Sequence, residues 1–128
     1  MNEVENVSVD EPAILVRINK TYHTRMTPKQ LYEATLGCWV MRRSRCEKAE
    51  IALAVNAGIV LEVFQIASWH PGGSTPYETR VLRDDLDRRI EFVGEVAPDN
   101  LRMKYKGKSV AHYFRFGAAN PIMYLNLD

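Results

Sequence analysis

The sequence is short of the residues that build cross-links, metal centres and membrane spans. Its only cysteines are Cys38 and Cys46, eight positions apart, which is neither a CxxC metal pair nor a disulfide framework. Free thiols in a reducing compartment are therefore expected. His23, His70 and His112 are scattered singly, so no metal site and no cofactor is read from them. The longest nearly charge-free run, Ile51 to Leu61, is about half the length a membrane-spanning helix needs. The opening residues MNEVENVSVDEPA hold neither a basic start nor an apolar stretch. No export signal is read there, and a cytoplasmic location without membrane attachment is expected. Serines 44, 68, 74 and 109 stand in no GxSxG elbow or ordered triad, which removes the commonest nucleophilic hydrolases.

What is present is an ordinary apolar share, 46%, and charged share, 26%, over 128 residues, the profile of one folded domain able to bury its own core. Charge is unevenly placed. Glu3, Glu5, Asp10 and Glu11 make the first eleven residues acidic, so residues 12–128 carry +5 against a net +1 for the chain. Residues 1–11 are expected to be a disordered acidic tail and residues 12–128 a single domain. Within that domain Arg17, Lys20, Arg25 and Lys29 occur without an intervening acid, Arg42, Arg43, Arg45 and Lys48 surround Glu47 alone, and Arg102 to Arg115 holds five bases and no acid. Clusters of this kind are the one-dimensional trace of a polyanion-binding face, although each one alone also fits a solvated surface.

Local signals give the elements. AILVRI at 13–18 reads as a strand. Thr27-Pro28-Lys29-Gln30 reads as a helix start, with Thr27 as cap, Pro28 at the first helical position and Gln30 closing a capping box; Gly37 ends the helix. CWVM is a short strand and RRSRCEKA a helical turn. IALAVN and GIVLEVFQIASW are two strands joined around Asn56-Ala57-Gly58, a combination that supplies the positive φ a hairpin turn requires. The first of them is apolar on both faces and should be central. HPGGSTPYE is a loop and VLRDDLDRR a charged connection. RIEFVGEVA is a strand with Ile90 and Phe92 alternating against Glu91 and Glu95, Pro98 opens a short helix, and IMYLNL is the last strand. The fold class expected is α+β: a small mixed β-barrel of five to six strands with two or three short helices.

The order of "CWVM", a basic linker, "ALAVNAGIVLEVFQI", a second tryptophan and "IEFVGEVAPDNLR" resembles the PUA-like superfamily, in particular its YTH and EVE branches. The later strand of YTH domains has the form W-x-F-V-x-(D/E)-V-P-x-x-x-L-R, which Ile90 to Pro98 and Leu101-Arg102 follow closely. The resemblance covers roughly Cys38 to Arg115. The whole chain also resembles an uncharacterised bacterial family with the "HYF" and "NPI-Y-N" landmarks, which adds no function. PUA-like membership implies RNA or DNA as partner. The YTH branch implies an aromatic cage for a methylated base, with Trp39 at the first cage tryptophan, Asn56 at the asparagine ending the hairpin strand and Trp69 in the region of a second. Trp39-Val40-Met41 replaces the Trp-Ser/Cys-Thr signature, so the resemblance points to a modified or extruded base rather than to N6-methyladenine.

The function expected is thus a nucleic-acid-binding module. Trp39, Asn56 and Trp69 are its base-binding residues. Arg42, Arg43, Arg45, Lys48, Lys104, Lys106, Lys108, His112 and Arg115 are its phosphate-binding residues. A tryptophan at a strand end is also an ordinary core residue, which is the competing reading of both indoles. Two other function classes remain open. A small amidohydrolase acting on modified nucleosides would use Lys20, Thr21 and Glu62, residue types that the related ASCH branch implies. A protein–protein adaptor would use the same barrel without chemistry.

Overall fold

A computed structural model describes residues 4–82, 86, 88–114 and 120–127 of the protein; the expected phosphate contact Arg115 lies outside them. Strand β1 (Ala13–Arg17) runs parallel to β3 (Ile51–Asn56) in the register Ala13 to Ile51. Between them in sequence lie α1 (Pro28–Leu36), the two-residue strand β2 (Trp39–Val40) and the single turn α2 (Arg43–Cys46). Strand β3 turns into β4 (Ile59–Pro71), and β4 pairs antiparallel with β5 (Arg89–Val96). Helix α3 (Asp99–Tyr105) and a 3₁₀ turn (Ala111–Tyr113) precede β6 (Ile122–Leu125), which pairs antiparallel with β1. The resulting six-stranded mixed sheet has the order β2-β5-β4-β3-β1-β6 and curls into a half-barrel. The α+β class and the element types match the expectation from sequence.

The sheet is covered on both faces, which is why its central strands are apolar throughout. Ile14, Val16, Ala52 and Ala54 face a core with Ala34 and Leu36 of α1, Cys46 of α2, and Phe64, Trp69 and Phe92. Leu15, Leu53, Val55 and Val63 face a second core around Tyr105 of α3. Helix α1 begins with the full capping box: Gln30 N–H donates to Thr27 Oγ1 (3.1 Å), and Thr27 N–H donates to Gln30 Oε1 (2.8 Å). Ala57 and Gly58, with φ of 51° and 80°, close the β3–β4 hairpin as a two-residue turn of the type that matches strand twist.

Curvature comes from two register shifts in β4, between the partners of Ala54 and Val55 and again between Ile66 and Ser68. A bulge leaves an extra residue on one strand and bends it. Gly94 lies opposite the second, where a Cβ would stand 2.1 Å from the carbonyl oxygen of Gln65. No larger residue fits that approach.

Two features depart from the expectation. Residues 4–11, expected as a frayed tail, lie along the α3 side: Val9 is buried, and Asp10 N–H donates to the Tyr105 hydroxyl (3.1 Å). Glu91, expected on the outer face of β5, is fully buried. No described helix is long and apolar enough to cross a membrane.

Candidate functional site

At the end of β1 the chain leaves the sheet and turns. Thr21 and Tyr22 N–H donate to the Ile18 carbonyl (2.9 and 2.8 Å), while Ile18 N–H remains on the sheet through Val55 O (2.9 Å). Asn19 Oδ1 accepts from Ala57 N–H (3.1 Å), tying this turn to the hairpin tip. Arg17 N–H donates to Pro121 O (2.8 Å), and the Arg17 guanidinium donates to Asn120 O (2.8 Å) and lies 4.6 Å from the centre of the Phe114 ring. These bonds fix one wall of a cavity of about 510 Å³ lined by Arg17, Ile18, Asn19, Lys20, Thr21, Trp39 and Pro121.

Trp39 also lines the cavity, and its setting follows from the end of α1. The last carbonyls of a helix have no partner within it. Trp39 Nε1–H donates to one of them, Thr35 O, at 2.9 Å. The indole is thereby held by its polar edge, partly buried against the α1-side core and partly presented to the cavity. The wall combines an aromatic face with the cations of Arg17 and Lys20 and the polar side chains of Asn19 and Thr21.

Three residues beyond Trp39 begins a second, more open depression of about 680 Å³, lined by Arg42, Ser44, Arg45, Lys48 and Leu127. Arg45 stacks its guanidinium 4.4 Å from the centre of the Tyr124 ring. Arg42, Arg45 and Lys48 are exposed and form no ion pair with a described carboxylate. Arg43 differs. It donates to Glu47 (2.9 Å) and to the Trp69 carbonyl (3.0 Å), so its charge is engaged within the protein.

The remaining expected site residues are dispersed. Trp69 is 5% exposed on β4, its ring edge-on to Phe92 at 5.6 Å. The strand continues past it to Pro71, so the indole belongs to the core and offers no face to a ligand. Asn56 lies at the hairpin tip between Val55 and Ala57, the residues bonded to Ile18 and Asn19, close to the cavity but not part of its wall. Lys104 pairs with Asp10 (2.9 Å) and Glu11 (3.1 Å), Lys106 with Glu62 (3.3 Å) and Lys108 with Glu5 (2.6 Å). Lys104 and Lys108 meet the acids of segment 4–11, and Lys106 with Glu62 lines a depression beside Met26, Thr27, Pro28 and Leu31 at the start of α1. None of the three lines the Trp39 cavity or the depression of Arg42, Arg45 and Lys48. His112 is exposed and packs on the neighbouring Tyr113 ring (4.3 Å).

Lys20, Thr21 and Glu62, the residues of the amidohydrolase reading, do not line one cavity. Lys20 and Thr21 line the Trp39 cavity, but Glu62 accepts a bidentate pair from Arg102 (2.9 and 3.1 Å) on the α3 side. Burial pushes the Glu62 carboxyl up, and its hydrogen bonds with Arg102, the Val63 N–H and Lys106 outweigh that, holding it ionised below the usual carboxylate range. Ser68 Oγ and His70 Nε2 are 2.7 Å apart on β4, away from the cavity wall. The Cys46 thiol is pushed up to about 11, chiefly by burial, which leaves it unreactive at neutral pH. Among the described residues no three His, Cys, Asp or Glu side chains are placed to hold a metal ion.

No family model, curated protein or solved structure matches this chain. The reading of the site rests on its own chemistry.

Sequence reasoning missed two groups. The cavity wall at 17–21 is the end of β1 and the turn after it; in sequence it carried a run of bases and the hydrolase candidates Lys20 and Thr21, but nothing that joined it to Trp39. The residues that hold loop 72–80 gave less still. Glu91 accepts from Gly73 N–H (2.6 Å), Thr75 N–H (2.8 Å), the Tyr77 hydroxyl (3.1 Å) and the Cys38 thiol (3.4 Å). Glu33, buried on α1, accepts from the N–H groups of Glu78 and Thr79 and from the Thr79 hydroxyl. Arg80 then donates to the Glu33 and Gly37 carbonyls beside β2. The loop is thus fixed against α1 and the start of β2, the elements that position Trp39.

Proposed function

We propose that this protein is a PUA-like nucleic-acid-binding module that receives a single unstacked base, modified or extruded, against Trp39. The observation that carries the reading is the Trp39 cavity itself: an indole held by Thr35 that lines about 510 Å³ together with Arg17, Lys20, Asn19 and Thr21, with Arg42, Arg45 and Lys48, cations without an ion pair among the described residues, following Trp39 in the chain. Stacking on an aromatic side chain contributes about 1–3 kcal/mol per base and tolerates every base. A base can reach such a wall only when out of the duplex, so the ligand is single-stranded nucleic acid or a flipped nucleotide. Arg42, Arg45 and Lys48 are the phosphate contacts, which set position and salt dependence but carry no sequence information.

The test is binding of single-stranded DNA and RNA oligonucleotides across a salt series. Trp39→Ala should lower affinity by about 1–3 kcal/mol, or about 5- to 150-fold. Trp39→Phe keeps an aromatic face and should retain most of it, although both variants lose the bond to Thr35. Replacing Arg42, Arg45 and Lys48 together by alanine should flatten the log–log salt slope by about 2, at about 0.7 per contact. Absence of binding to either nucleic acid at low salt, or a Trp39→Ala affinity equal to wild type, refutes the proposal.

A further inference from the structure

The acidic segment 4–11 is held to the α3 face by two separate sets of contacts. The first is uncharged. Val7 N–H donates to Ser109 O (3.0 Å), Ser109 N–H donates to Glu5 O (2.8 Å), and Val9 N–H donates to the Tyr113 hydroxyl (3.0 Å). Asn126 Nδ2 donates to the Val9 and Glu11 carbonyls (2.8 and 3.0 Å), and the buried Val9 side chain joins the core beside Tyr105. This set fixes the path of the chain without any carboxylate.

The second set places acids on bases. Glu5 meets Lys108 at 2.6 Å and Asp10 meets Lys104 at 2.9 Å, both carboxylate side chains being 72% exposed, while Glu11, more buried, meets Lys104 at 3.1 Å. Exposed pairs of this kind contribute little to folding, because water and salt screen them. Their effect is on what else the lysines can bind. Arg102 and Lys106 are in a different position, since both are held by Glu62, whose side chain is only 10% exposed.

We propose that segment 4–11 acts as an intramolecular polyanion mimic: Glu5 and Asp10 occupy Lys108 and Lys104 and thereby mask a second phosphate-binding surface beside α3, separate from the lining of the Trp39 cavity. The polyanion it competes with is the nucleic acid of the proposed function, and to that extent the inference rests on that reading. Because the main chain is held independently of the acids, phosphate exchanges for Glu5 and Asp10 without unfolding the segment.

The experiment is a mutant cycle on the full chain. Glu5→Gln with Asp10→Asn frees Lys108 and leaves Lys104 on Glu11 alone, which should steepen the salt slope for a single-stranded oligonucleotide by at least about 0.7 and add about 2.6-fold or more to the affinity gained on a fourfold dilution of salt. The same pair of substitutions in a Lys104→Gln/Lys108→Gln background should add no such gain. Heparin, a polyanion without bases, is run through the same cycle. A gain with heparin alone, with no variant binding oligonucleotide, removes the nucleic-acid reading and leaves the masking intact. No gain with either probe, or a gain that persists without Lys104 and Lys108 and so reflects net charge alone, overturns the inference.

Discussion

The substitution Glu91→Gln removes one charge and almost no volume, at a fully buried position that accepts four hydrogen bonds. Three of them, from Gly73 N–H, Tyr77 and Cys38, converge on Oε1, and Thr75 N–H goes to Oε2. If the amide oxygen of the variant keeps the Oε1 position, its NH₂ group faces Thr75 N–H, donor against donor. Leaving one buried donor unpaired costs about 1–3 kcal/mol, and the other three bonds lose their charge assistance. A loss of about 2–4 kcal/mol in unfolding free energy is expected, with a fall in Tm on the order of 10 °C. Denaturation in urea at several pH values is the assay. Burial raises the Glu91 carboxyl, and bonds from Thr75, Gly73, Tyr77 and Cys38 outweigh that and lower it from its ordinary 4.5. A depressed folded-state value means that the stabilisation is complete above the ordinary value and is lost as pH falls through the lowered one. The amide of the variant does not titrate, so the gap between wild type and Glu91→Gln should be constant well above the ordinary carboxylate range and shrink below it. Glu62 and Glu11 titrate in both proteins and cancel in the difference. A gap that stays constant down to acid, or one below about 0.5 kcal/mol at neutral pH, refutes the account of loop 72–80.

Trp69→Ala should cost about 3–5 kcal/mol of folding stability while the folded variant keeps wild-type affinity for oligonucleotide; a selective loss of affinity would return Trp69 to the site. Gly94→Ala should fail to reach a native fold or melt far below wild type, since the added Cβ meets the Gln65 carbonyl oxygen at 2.1 Å; a melting temperature near wild type would show that the β4 bulge is not fixed by that approach.

Where the physics is local, the sequence alone determined the outcome. Thr27, Pro28 and Gln30 define the start of α1 because a cap, a pre-set φ and a returning side chain all act within one turn. Ala57-Gly58 defines the hairpin because its φ values must be positive, and the two-sided apolarity of Ile51 to Val55 defines a central strand. The tertiary structure alone decided which charges remain available and which tryptophan is only partly buried. Lys104 and Lys108 meet acids 93 and 103 positions away, so a stretch that is purely basic in sequence is nearly neutral in space. Glu91 follows the alternation of a solvent-facing residue, but loop 72–80 folds over it and turns an outer position into a buried one. Trp39 and Trp69 occupy similar strand sequences. Trp39 sits on a two-residue edge strand whose indole reaches the end of α1 and leaves a face to a cavity, whereas Trp69 lies within a strand paired on β5 and packed on Phe92. Coulombic pairing and burial depend on distance through space, and chain order does not encode that distance until the sheet has closed around it.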